Sequence, residues 1–163
     1  MKTLSGSFYT IGERLGSGTF GVVYKARRKD GKIFAIKKFP KCTEIDLGAL
    51  REISILKMFQ GNRDGIMELV DIMMTKTQVG IIMPCYSMNL YQAITDKVLT
   101  KDRRRYISFQ LLKSLAFLKR NGVIHRDIKP DNILVSENNA VLRICDFGSA
   151  FRESDPGCSD PSP

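Results

Sequence analysis

Apolar runs broken by glycine-rich and polar turns make the first third of the chain read as strands. Residues 8–15 and 22–28 flank a glycine-rich turn. Residues 32–39 form the next strand after Asp30-Gly31, a tight-turn dipeptide that predicts a hairpin. Between 47 and 59 the spacing turns helical, with Leu50, Ile53 and Leu56 on adjacent turns. Residues 61–65 read as loop, and 67–74 and 78–83 return to strand. This order, three strands, a helix and two more strands, predicts a five-stranded antiparallel sheet with one helix packed on it.

The second half differs. Residues 100–119 form one long amphipathic helix, with Ile107, Leu111, Leu115 and Leu118 as its apolar stripe. Asn121-Gly122 ends it. Short strands are predicted at 133–135 and 141–145 around a Glu137-Asn138-Asn139 turn. Residues 152–163, rich in Ser, Asp, Pro and Gly, read as irregular or disordered. No internal repeat is visible.

Composition narrows the function classes. Hydrophobic residues make up 43% and charged residues 26%, ordinary for a globular domain. No apolar run is long enough to span a bilayer and no export signal opens the chain, so a cytoplasmic or nuclear protein is expected, with no membrane partner. The four cysteines, Cys42, Cys85, Cys145 and Cys158, then read as reduced thiols. None forms a C-x-x-C pair and the chain has one histidine, which argues against structural zinc. The net charge of +9 favours anionic partners. The basic cluster at 101–105 reads as a solvated helix face, so nucleic acid is not expected as a partner.

Candidate chemistry starts at Leu15-Gly16-Ser17-Gly18-Thr19-Phe20-Gly21-Val22-Val23, a G-x-G-x-x-G-x-V pattern. Glycines let a backbone turn approach phosphate oxygens and offer them N–H groups. The pattern runs into a strand and not a helix, which disfavours a dinucleotide-binding loop. Ala35-Ile36-Lys37 lies on the third strand. Alternation puts Ala35 and Lys37 on one face and Lys38 on the other, so Lys37 is the candidate point charge for phosphates. Glu52 shares its helix face with Leu56 and Phe59, and a carboxylate there needs a cation, for which Lys37 is the natural partner.

The segment Val123-Ile124-His125-Arg126-Asp127-Ile128-Lys129-Pro130-Asp131-Asn132-Ile133-Leu134 follows, and then Ile144-Cys145-Asp146-Phe147-Gly148. With the two earlier motifs, these resemble the eukaryotic protein kinases residue for residue: the glycine-rich loop, the strand lysine, H-R-D-x-x-x-x-N and D-F-G, in order. The resemblance covers residues 8 to about 151. It implies an α+β, protein-kinase-like fold: an N-lobe over 1–83, a hinge at 84–86, a partial helical C-lobe over 87–151 and a tail over 152–163. It implies serine/threonine kinase activity with ATP and Mg²⁺ and a protein substrate. Asp127 would accept or orient the substrate hydroxyl proton, Lys129 would neutralise the transferring group, and Asn132 and Asp146 would hold Mg²⁺. Met83 would be the gatekeeper, with the Pro84 carbonyl and the Tyr86 N–H on the adenine edge. Arg126 would meet an activation-loop phosphate. Leu56, Leu69, His125 and Phe147 would stack between the lobes.

Residues 47–53 resemble the cyclin-binding helix of cyclin-dependent kinases, so a cyclin-like regulator is expected on the 47–59 helix. Ser87-Met88-Asn89-Leu90, Leu118-Lys119-Arg120 and Cys145-Asp146-Phe147-Gly148-Ser149-Ala150 look more like the pre-mRNA-processing kinases; both belong to the CMGC group. The resemblance stops after D-F-G, with no A-P-E, so a truncated kinase is expected. The alternative expectation is a non-catalytic fragment that binds nucleotide or a regulator. Two further expectations concern single residues: an inhibitory phosphate on Thr19, and Cys145 as the one cysteine open to electrophiles in the nucleotide pocket, its thiolate favoured by a bound Mg²⁺ together with Lys37.

Overall fold

The computed structural model describes residues 8–18, 21–40, 46–61, 64–75, 77–136 and 141–153. Strands β1 (Tyr9–Gly18), β2 (Gly21–Arg28), β3 (Ile33–Lys38), β4 (Asp71–Met74) and β5 (Val79–Pro84) form one antiparallel sheet in the order β1-β2-β3-β5-β4. The β2–β3 turn is pinned by Asp30. Its carboxylate accepts from Arg28 Nε at 3.1 Å, Arg28 Nη2 at 2.6 Å and the Lys32 N–H at 3.1 Å. The register sets Val23 beside Lys37, Lys37 beside Ile81 and Ala35 beside Met83.

Helix α1 (Leu47–Met58) begins at Asp46, whose side chain accepts from the Ala49 N–H at 3.0 Å. It buries Ala49, Glu52, Ile55 and Leu56, with Phe59 just beyond its end. Leu50, expected on that face, is 45% exposed. The buried arc is centred on Glu52 and Leu56, and Leu50 lies two positions off it.

The expected strand at 67–74 is shorter, β4 covering only its second half. Met67 and Leu69 are buried around exposed Glu68, so the alternation is real. The backbone, however, meets the sheet only from Val70 on. Ile66 bridges Ile144, Met67 N–H donates to Ile144 O at 2.9 Å, and Val70 N–H donates to Ile82 O at 2.8 Å. This crossing ties the sheet to the second half of the chain.

That half contains β6 (Met88–Asn89), α2 (Leu90–Thr95), α3 (Lys101–Arg120), β7 (Val123–Ile124), a 3-10 turn at Pro130–Asn132, β8 (Ile133–Val135), β9 (Leu142–Ile144) and β10 (Phe151–Arg152). The alternation pattern does not reach β6 and α2, because both are short. Their signal is a capping box: Asn89 and Gln92 each accept from the other's backbone N–H, at 2.8 and 2.9 Å. Thr100 caps α3, whose buried face is Ile107, Ser114, Phe117 and Leu118, with Leu111 and Leu115 half-buried. Arg152, expected in an irregular tail, pairs in β10 with Val123. The turn at 137–139 lies outside the described residues. Among those described, no helix is long and apolar enough to cross a membrane.

One continuous core joins the sheet, α1, α3 and the short strands. Gly65 shows how close the joint is. It sits at φ +81°, and a Cβ there would fall on Ser114 Oγ, which is committed to Gln110 O at 2.8 Å. Gly65→Ala is expected to destabilise the fold by about 2–3 kcal/mol, from left-handed strain plus overlap. In urea titrations, adding Ser114→Gly should recover the overlap share only; an unchanged Gly65→Ala midpoint would refute the packing argument.

Candidate active site

The β1–β2 hairpin closes with Gly18 opposite Gly21; Thr19 and Phe20, and the phosphorylation expected on Thr19, lie outside the described residues. Leu15, Gly16, Ser17 and Gly18 are exposed, while Val22 and Val23 are half-buried. Gly21 is held by its neighbours. At φ +135°, any Cβ would overlap the Lys38 carbonyl, so glycine is required here by strand packing alone.

β3 then carries Lys37 inward and turns Lys38 to the far face, where its ammonium lies 5.4 Å from the Tyr24 ring centre. Lys37 Nζ donates to Glu52 Oε2 at 2.6 Å and to Asp146 Oδ1 at 2.8 Å. The strand, the helix and the turn after β9 thus meet at one atom. Lys37 is 6% exposed and Glu52 2%. Burial opposes the ammonium, but the two carboxylates outweigh it and raise the Lys37 pKa. Glu52 is pushed up to about 7 by burial first; Lys37 pulls it down, and the Asp146 charge adds to the rise. Both directions follow from the shape of the cluster: one ammonium serves two carboxylates and compensates neither in full. Asp146 sits at φ +64°.

The loop between β7 and β8 brings the second group together. Asp127 Oδ2 accepts from Lys129 Nζ at 2.9 Å and from Asn132 Nδ2 at 2.9 Å. Asn132 Nδ2 also donates to the Asp127 carbonyl at 2.9 Å, which orients the amide and leaves Oδ1 as its acceptor atom. The Lys129 hydrogen bond, then that of Asn132, holds the Asp127 carboxyl below the usual carboxylate range. Among the described residues, no three His, Cys, Asp or Glu side chains converge on a point. The expected ligands, the Asn132 amide oxygen and the Asp146 carboxylate, are hard oxygen donors of the kind Mg²⁺ takes while keeping waters and phosphate oxygens. The residues present fit that ion.

His125 has a polar role that sequence reasoning missed. Its Nε2 is 2.9 Å from the Cys145 carbonyl, and the Asp127 N–H points to its Nδ1 at 3.3 Å. A carbonyl only accepts and an amide only donates, so the ring is the neutral Nε2–H tautomer. Its position beside Asp127 was the available signal. The ring packs edge-on against Phe147 with centroids 4.7 Å apart, and Leu56, Leu69, His125 and Phe147 are all buried. Burial lowers the His125 pKa. A depressed value means stability is present above the unfolded pKa and lost as pH falls, because only the unfolded chain takes up the proton. The urea midpoint is therefore expected to drop as pH falls below about 6.5. His125→Gln should remove this particular slope, and a slope identical in the two proteins would refute the neutral ring.

Lys37 alone does not activate Cys145. It is half-buried, its thiol donates to the Asn132 carbonyl at 3.4 Å, and burial, followed by the Glu52 and Asp146 charges, pushes it up to about 12. Lys37 does not offset this, so the group is a thiol and not an activated thiolate.

Met83 is buried beside Ala35, and Pro84 lies opposite Phe34; Cys85 and Tyr86 follow, half-buried against the core. Arg126, at φ +62°, donates from Nε to the Ser149 carbonyl at 2.6 Å.

The family model described as "Protein kinase domain" matches residues 9–159. That span runs from the first residue of β1 past the last described strand and takes in each charged cluster above, and by it the chain belongs to the protein kinase family, whose five-stranded antiparallel sheet it carries.

Proposed function

We propose that the chain transfers the γ-phosphoryl group of ATP to serine or threonine hydroxyls of a protein. The observation that carries this reading is Asp127 Oδ2, held at 2.9 Å by both Lys129 and Asn132. With its pKa lowered, Asp127 is ionised at neutral pH and always ready to accept from a hydroxyl. A weak base of this kind orients the nucleophile and takes its proton late, which suits a loose phosphoryl-transfer transition state. Lys129, bonded to Asp127, would stabilise charge on the moving phosphoryl group, and in this reading it favours serine/threonine over tyrosine acceptors.

Lys37 supplies a charge to the ATP phosphates and is aimed by Glu52. The hairpin from Leu15 to Val23, Thr19 and Phe20 included, covers those phosphates. Ala35, Val23 and Met83 wall the adenine, and the Pro84 carbonyl and Tyr86 N–H meet its edge. Asn132 and Asp146 would hold Mg²⁺, which when bound offsets charge on the phosphate oxygens. In this reading 1–83 and 87–151 are two lobes joined at 84–86. CMGC membership, a regulator on α1 and residence in the cytoplasm or nucleus belong to the same proposal.

Labelled ATP with a peptide mixture of Ser, Thr and Tyr acceptors tests it, with Mg²⁺ and with excess chelator. Mg²⁺-dependent label on Ser and Thr is expected. Label on Tyr alone would overturn the specificity, and nucleotide binding without transfer would favour a non-catalytic binding role.

A further inference from the structure

An open groove of about 300 Å³ lies where α2, α3 and β8 meet. Its origin is local. Ala93 presents only a methyl group from α2. The chain then leaves that helix by a sharp turn, in which Lys97 takes φ +55° and the Val98 N–H donates to the Ala93 carbonyl at 3.2 Å. Val98 and Leu99 line the groove as a wall, and Ala93, Ile107 and Val135, all buried, form its floor. Val98 remains 40% exposed at the rim. The groove shares no residue with the charged clusters around Lys37 and Asp127.

Two kinds of surface meet here. The lining is apolar apart from one serine and Arg103, and it holds no acid. Residues 96–105, which run from the wall into α3, carry five cations against two acids. One of those acids, Asp102, faces Arg105 at 3.9 Å, while Lys97, Lys101 and Arg104 are exposed. We infer that this groove docks a short segment of a partner protein in which a branched apolar side chain is flanked by carboxylates. The apolar lining takes the side chain out of water. The cations select its flanks, attracting carboxylates and meeting a basic segment with like charge. A second copy of this chain is disfavoured for the same reason, because it carries a net charge of +9. A membrane surface would meet the cations but leave the concave groove empty. Docking of this kind does not rest on the phosphoryl transfer proposed above.

Fluorescence anisotropy on the whole chain tests it, with a short labelled peptide in which a pair of leucines lies among glutamates. Saturable binding is expected, and it should be lost when lysines replace the glutamates or alanines the leucines. Val98→Asp puts a charge at an exposed rim position, which the fold should tolerate. It should weaken binding roughly tenfold, mostly through faster dissociation. Lys101→Glu with Arg104→Glu should also cost roughly tenfold, but in the association rate, and this loss should fade in high salt. Arg27→Glu with Lys32→Glu makes the same change of net charge at exposed positions of β2 and its turn, and should alter binding little. No binding, equal binding of the lysine peptide, an unchanged Val98→Asp variant, or equal losses from the two charge-reversed pairs would overturn the inference. So would sedimentation showing dimers that Val98→Asp dissolves, which makes a second copy the occupant. Capture by phosphatidylserine vesicles that the same substitutions abolish would overturn it in favour of a membrane.

Discussion

Asp127→Asn should lower kcat by about 10³-fold, within the range for removing a positioned proton acceptor, while leaving ATP affinity nearly unchanged. The substitution keeps size and one carbonyl oxygen, so Asn132 Nδ2 retains an acceptor. It removes the anion that Lys129 and a substrate hydroxyl share. Asp127 is only partly buried and its partners lie in its own loop, so the fold should tolerate the change. The checks are kcat and the Kd for Mg-ATP, measured on the same preparation. A variant turning over at more than a tenth of the unaltered rate would end the assignment. Asp127→Glu is the sharper comparison. It keeps the charge but lengthens the arm, and should also lose most activity, because the extra methylene moves the carboxylate off the point where Lys129 and Asn132 both meet Oδ2 at 2.9 Å.

Much of this site was legible because its residues act through their identity and order. Strand alternation chose Lys37 over Lys38, and the structure puts Lys37 on Glu52 and Lys38 against Tyr24. A carboxylate on the apolar face of α1 required a cation, and it has one. The five-stranded sheet followed from period and turns. What was not legible depends on backbone geometry that side-chain patterns do not carry. Residues 67–69 alternate like a strand, but the Met67 amide bonds to Ile144 and not to the sheet, and period alone cannot register that. Leu50 matched the helical spacing, yet the buried arc of α1 is set by where Glu52 must point. Gly21 reads as part of a phosphate loop, and in the fold it is also demanded by the Lys38 carbonyl. Cys145 lies next to Asp146 in sequence, but sequence order does not show that burial and two nearby carboxylates raise its pKa in the absence of a bound cation.

Lys37→Met should weaken Mg-ATP binding and destabilise the fold together, because one ammonium supports both Glu52 and Asp146. Removing one partner of a buried ion pair costs about 3–5 kcal/mol when the other charge stays buried. Glu52 can escape part of that cost by taking up a proton, and with Lys37 present its pKa already stands at about 7. Without Lys37 it must rise further, since the largest favourable charge is gone and burial remains. The sign follows: a carboxyl whose folded pKa is raised contributes stability that is fully present below the unfolded value and is lost as pH rises through the folded one. The penalty of Lys37→Met should therefore be small near pH 5 and grow steadily toward pH 9. Glu52→Gln on the Lys37→Met background removes the titrating group and should restore stability at high pH without restoring nucleotide affinity. Urea midpoints for the four proteins of this cycle, taken at pH 5, 7 and 9, are the measurement. Strictly additive effects at pH 9 would mean that Lys37 and Glu52 are not energetically coupled, whatever their 2.6 Å separation.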